Sequence, residues 1–121
     1  MILVDTSVWI DHFRNGVEHL AAALDTGQVL MHPFVLGEIA CGSLSDRQEI
    51  LQLMAELPLA PVVTDTEALL FIDEHALMGR GIGYIDVHLL ASAVLGQDVE
   101  LWTRDRRLAR IAAEIEIAFR R

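Results

Sequence analysis

ILVDTSVWI, residues 2–10, sets a carboxylate between two hydrophobic segments. Ile2, Leu3 and Val4 form an apolar run of the kind found in a buried strand, which the pattern extends over residues 2–5. The run stops on Asp5. Thr6 and Ser7 follow, and Val8-Trp9-Ile10 then opens a helix from about Ser7 to Arg14, closed by Asn15-Gly16. An acid at such a junction has two explanations. It caps the helix that follows, as Thr6 or Ser7 could equally do, or it belongs to a site at the carboxyl end of the strand.

The rest of the chain repeats the alternation. A second helix is expected over 17–25, a strand over 28–32, and a helix over PFVLGEIACG from Pro33 to Gly42. Ser45 to Gln48 has the form of a capping box and leads a helix that ends before Pro58. PLAPVVT reads as a short strand between prolines. Thr64 to Glu67 is a second capping box, before a helix to about Met78. The apolar helix YIDVHLLASAVLG starts at Tyr84, the strand VELWT follows, and RDRRLARIAAEI and IEIAF read as a last helix and strand. Short strands separated by helices imply a parallel sheet covered on both faces, an α/β/α arrangement. No repeat, linker or low-complexity segment interrupts it. In such sheets the site lies beyond the carboxyl ends of the strands, which puts Asp5, Thr103 and Asp105 on one edge.

Length and composition narrow the possibilities. The chain has 121 residues, room for one domain covering 1–121. A hydrophobic fraction of 53% and a mean hydropathy of +0.39 favour strands buried on both faces, an oligomer, or both. No apolar stretch approaches the ~18 residues of a membrane helix. The N-terminus lacks a basic flank and a signal cleavage site, and a single cysteine, Cys41, suits a reducing compartment. The expected address is the cytoplasm. Net charge is -9, the wrong overall sign for a nucleic-acid binder. All nine basic residues are arginine, however, and Arg104, Arg106, Arg107, Arg110, Arg120 and Arg121 crowd the last eighteen positions.

Three further acids share the setting of Asp5. Glu38 is the lone ionisable residue of PFVLGEIACG, with Phe34, Val35 and Cys41 on neighbouring turns. Asp86 opens an apolar helix whose other polar members are His88 and Ser92. Asp105 starts the arginine-rich helix. Capping accounts for Asp105 and can account for Asp86, but offers nothing for Glu38 in mid-helix. Buried carboxylates need compensating positive charge. No lysine is present to supply it, whereas a hard cation such as Mg²⁺ or Mn²⁺ suits a cluster of carboxylate oxygens.

DTSVWI at 5–10, the lone Glu38, D-x-x-L-L-A-S-A at 86–93 and TRDRRL at 103–108 together resemble a PIN domain, more narrowly the VapC-type toxins of prokaryotic toxin–antitoxin pairs. The likeness runs along essentially the whole chain. It implies a three-layer α/β/α sandwich with a short parallel sheet, and RNA cleavage by Asp5, Glu38, Asp86 and Asp105 around Mg²⁺ or Mn²⁺. Asp5 and Asp86 become the direct metal ligands, with Glu38 and Asp105 completing the pocket. Relatives often carry a further acid near Asp105, where this chain has Arg106 and Arg107, which weakens the case for a second ion. A homodimer and a VapB-type antitoxin are the implied partners, the antitoxin sending a basic residue into the site.

Ser7 and Thr103 are short hydroxyls placed to hold ligands or water, and Arg104 and Arg106, with Arg107 and Arg110, start beside the site where an RNA backbone would arrive. Those arginines alternatively form a solvated face paired with Glu114 and Glu116. Trp9 and Phe13 read as core or interface. The five histidines show no zinc spacing, and Gly79, Gly81 and Gly83 form a turn that lacks the lysine of a phosphate loop. Competing readings are weaker. An aspartyl-nucleophile phosphatase wants a second Asp where Ser7 stands, and a receiver domain needs a lysine. A catalytically inactive PIN-like scaffold that binds a partner protein or RNA would not need all four acids.

Overall fold

Ile2, Leu3 and Val4 do form the central strand, and all three are buried. The computed structural model describes residues 1–120, so Arg121 lies outside the described residues. In chain order the elements are β1 (Ile2–Val4), α1 (Thr6–Asn15), α2 (Glu18–Asp25), β2 (Val29–Leu30), α3 (Pro33–Cys41), α4 (Arg47–Ala55), α5 (Asp65–Glu74), α6 (Tyr84–Leu95), β3 (Glu100–Trp102) and α7 (Arg106–Glu114). The strands pair in parallel in the order β2-β1-β3, with Leu3 opposite Leu30 on one side and Leu101 on the other. The crossover from β1 to β2 and the one from β2 back past β1 to β3 run in opposite directions across the parallel sheet, so they keep one hand only by using opposite faces. The α/β layering follows from that rule. α1 packs on α3 and α3 on α4, while α5 packs on α6 and both α6 and α7 meet β3.

Local chemistry explains the element ends. Gly16, at φ 74°, stops α1 and returns its N–H to the His12 carbonyl. Pro33 begins α3, where its missing N–H costs nothing, and the His32 Nδ1 accepts the Phe34 N–H at 3.0 Å. Thr64 and Glu67 form the expected reciprocal capping box. The middle of helix α6 is apolar on nearly every side because it is buried: every residue from Val87 to Ala93 is shielded from solvent. No helix among the described residues is long and apolar enough to cross a membrane.

Several expectations need correction. PLAPVVT is not a full strand; it touches the sheet through a single bridge between Leu59 and Met31. IEIAF likewise contributes one bridge, Ala118 to Leu101. Prolines on either side of Leu59 limit the first, since proline cannot donate to a ladder. The Ser45–Gln48 capping box does not form: α4 starts at Arg47, after Asp46 in the left-handed region at φ 53°, with no side-chain cap. Helix α5 stops at Glu74 rather than Met78, because Ala76 turns left-handed at φ 52°.

Leu3 is fully buried at the centre of the sheet, so Leu3→Ala should cost about 2–5 kcal/mol through the cavity it leaves. Thr64→Ala, which removes only a surface cap, should cost about 1 kcal/mol. Urea unfolding checks both, read from the midpoint at unchanged slope.

Candidate active site

The strand edge brings Asp5 and Thr103 together as the topology requires, since Asp5 follows β1 and Thr103 follows β3. Asp5 occupies the N-cap position of α1 in extended conformation, yet its side chain makes no cap hydrogen bond. Its Oδ2 instead accepts from the Ser7 hydroxyl at 2.7 Å and the Thr103 hydroxyl at 2.8 Å. Each hydroxyl in turn accepts a backbone N–H at 3.0 Å, Ser7 from Arg104 and Thr103 from Asp105. Both hydroxyl protons are thereby aimed at one oxygen of a buried carboxylate.

The other three acids arrive from separate elements. Glu38 is exposed at the edge of the face through which Val35 and Ile39 of α3 enter the core. The expectation of a buried position is therefore corrected. Its mid-helix place is explained by Thr6, whose hydroxyl donates to Glu38 Oε1 at 2.7 Å. Asp86 is half-buried in the first turn of α6, where its Oδ2 accepts the Gly83 N–H at 3.1 Å. Asp105 is exposed and caps α7, its Oδ1 accepting the N–H groups of Arg107 and Leu108 at 2.9 and 3.1 Å.

A common feature links the four. Each carboxylate commits one oxygen to the protein, while among the described residues no hydrogen bond reaches the other: Oδ1 of Asp5, Oε2 of Glu38, Oδ1 of Asp86 and Oδ2 of Asp105. The four also feel one another. Burial raises the Asp86 carboxyl above its usual range, the Gly83 N–H opposes that, and the charges of Asp5, Asp105 and Glu38 raise it further. Among the described residues no arginine is among the groups acting on it. Among the described residues no three His, Cys, Asp or Glu side chains close round one point tightly enough to hold an ion unaided. An all-oxygen, net-negative donor set of this kind fits a hard divalent cation that takes one or two carboxylates directly and keeps its remaining waters.

The arginines divide. Arg104 is tied back: its guanidinium lies 3.3 Å from Asp11 of α1 and 5.7 Å from the centre of the Trp102 ring. Arg107 lies against the Gly81 backbone, so closely that a Cβ on Gly81 would fall 2.8 Å from its side chain. Arg106 and Arg110 are exposed and have no partner among the described residues. Glu114 pairs with Arg80 at 2.8 Å rather than with the helix's own arginines. Trp9 is buried and stacks on Phe13 at 5.9 Å, and His88 is buried as well. Sequence reading offered Thr6 only as a possible cap, where the structure has it donating to Glu38, and passed over Asp11 and the hydroxyl of Tyr84.

The chain is similar to known proteins along nearly its whole length. Residues 2–114 match the family model described as PIN domain. The chain is also 44% identical over 118 residues to Ribonuclease VapC32 of Mycobacterium tuberculosis strain CDC 1551 / Oshkosh, with 98% of this chain and 95% of the relative aligned. The same protein of strain ATCC 25618 / H37Rv gives the same 44% identity and coverage.

The raised Asp86 carboxyl has a pH consequence. A carboxyl that binds its proton more tightly folded than unfolded adds stability as pH falls through that raised value, and withholds it at neutral pH. His32 works in the opposite sense: burial, then His88, lowers it from 6.5 to about 4, so stability is lost as pH falls between those values. Asp86→Asn isolates the first effect. In metal-free buffer it should raise the melting temperature by a few degrees at neutral pH, and the gain should shrink on acidification. Paired thermal melts across that range give the answer.

Proposed function

This chain belongs to the PIN-domain family, and we propose that it is a divalent-metal-dependent endoribonuclease, the toxin of a VapBC-type toxin–antitoxin pair. One observation carries the reading: four carboxylates from four different elements each leave one oxygen uncommitted, around a half-buried Asp86 that the other three repel. Helix capping accounts for Asp105 and in part for Asp86. It accounts for neither Asp5 nor Glu38.

Asp5 and Asp86 are the direct ligands, chosen because they are the buried and half-buried members, where a charge most needs a cation. Mg²⁺ is the expected ion, with Mn²⁺ as its substitute. When bound, the ion supplies an acidified water for attack on a phosphodiester and offsets charge building on the phosphate oxygens. Ser7 and Thr103 hold Asp5 through Oδ2 so that Oδ1 keeps a fixed direction. Thr6 orients Glu38, which with Asp105 completes the acidic rim and accepts protons from ordered water. Without the ion this rim repels RNA.

Arg106 is the first candidate for the RNA backbone, being exposed and without a partner among the described residues. Arg104 also faces the site, but must exchange its contact with Asp11 to bind phosphate.

The partners follow from the surface. A groove of about 420 Å³ between α1, α3 and the 42–50 segment is lined by Ile10, Phe13, Ile39, Leu44 and Ile50, and reaches Glu38. Its apolar wall beside an acidic site suits an antitoxin segment that ends in a basic residue. Leu69 and Leu70 of α5 and Val94 and Leu95 of α6 are exposed large hydrophobics, and they support a homodimer, consistent with a cytoplasmic complex.

Purified protein should cleave RNA with Mg²⁺ or Mn²⁺ and stop on chelation with EDTA; cleavage that survives full chelation overturns the mechanism. Asp5→Asn and Asp86→Asn should abolish activity with the fold intact by circular dichroism. Ser7→Ala should weaken metal binding by about 10–100-fold, the usual effect of removing a group that orients a ligand.

A further inference from the structure

Helix α6 delivers Asp86 from a first turn that has few anchors of its own. Gly83 stands at the N-cap and has no side chain to cap with, and the approach runs through Gly79 and Gly81 at φ 71° and 84°. Within the turn, the side-chain hydrogen bond is the one Asp86 itself accepts from the Gly83 N–H. Meanwhile Asp5, Asp105 and Glu38 push against the same carboxylate. A helix start loaded with like charge and led in by glycines needs external ties.

Two are present. Arg80 pairs with Glu114, at 2.8 Å, and binds the approach segment to α7. The second is closer to Asp86. Tyr84, the first residue of α6, donates its hydroxyl to Asp65 Oδ1 at 2.6 Å. Asp65 is the first residue of α5, where the helix N-terminus favours a negative charge. One turn further along α6, His88 presents its Nε2 3.3 Å from the same oxygen, and its ring meets the Tyr84 ring edge-on at 4.7 Å. The bond is charge-assisted: it holds Asp65 below the usual carboxylate range and raises the Tyr84 phenol. Residues four apart on one face of α6 thus address one carboxylate, and Asp86, between them in the chain, leaves the opposite face of the same turn.

We propose that Asp65 and Tyr84 are a positioning pair for Asp86: their hydrogen bond joins the starts of α5 and α6 and fixes the direction in which Asp86 offers its free oxygen to the cation. This rests on the metal-binding reading above. Neither residue touches metal or RNA. Their effect passes through the orientation of one ligand, so it appears in metal affinity rather than in RNA affinity.

The test is Mn²⁺ binding by the full-length protein without RNA, followed by the paramagnetic resonance of free Mn²⁺, for wild type, Tyr84→Phe, Asp65→Asn, the double variant and Asp86→Asn. Tyr84→Phe removes one oxygen at a partly exposed site and keeps the ring packing. Each single variant should weaken Mn²⁺ binding about threefold to tenfold, the range of one hydrogen bond, and the double variant should match the singles because both remove the same bond. RNA cleavage should show a raised metal midpoint, recovery at saturating Mn²⁺ and an unchanged KM for RNA. A purely structural role would lower the melting temperature and leave Mn²⁺ affinity alone. Wild-type affinity in Tyr84→Phe, beside a clear loss in Asp86→Asn, overturns the pair and spares the metal site. A wild type that holds no Mn²⁺ overturns both.

Discussion

Two hydroxyl groups aimed at one carboxylate oxygen decide how this molecule is put together. Ser7 and Thr103 come from opposite ends of the chain, and both donate to Oδ2 of Asp5. The contact fastens the end of β1 to the end of β3 just beyond their last paired residues, Val4 and Trp102. It lets a carboxylate stay buried without a cation of its own side chains, because the hydroxyls bring the backbone N–H groups of Arg104 and Asp105 into the same network. The same network reaches the N-terminus of α7, because the Thr103 hydroxyl that donates to Asp5 accepts the N–H of Asp105.

The sequence showed the fold through its apolar rhythm and the site through its misplaced acids. A carboxylate after ILV, another in a helix otherwise free of charge and a third opening the apolar helix α6 each break a local pattern, and breaks of that kind gather at functional sites. Less legible was whatever depends on contacts between distant residues. Glu38 reads as buried because its neighbours in the chain are apolar, yet α3 turns Val35 and Ile39 inward and leaves Glu38 in the open cleft. Arg104 reads as an RNA-backbone contact or a partner of Glu114 and Glu116, and its tie to Asp11, 93 positions away, has no trace in local spacing. The edge segments PLAPVVT and IEIAF have strand composition but pair with the sheet through one bridge each, and composition does not report pairing.

The site also sets two demands against each other. Burial and three neighbouring acids make the Asp86 charge unfavourable in the folded chain, and the molecule absorbs that cost in the rest of the structure: a dry α6, a closed central strand, and cross-links from Arg80 and Tyr84 that brace the helix start. Stability is thus spent where ligand geometry is needed.

The sheet margins have a consequence for behaviour in a crowded solution. On each side of β2-β1-β3 the next segment pairs through one residue, Leu59 at one margin and Ala118 at the other. A passing extended chain finds no row of open N–H and C=O groups to zip along, and Pro58 and Pro61 beside Leu59 blunt that margin further. In a chain that is 53% hydrophobic, margins this short and flanked on one side by proline offer little length for fibril-like stacking.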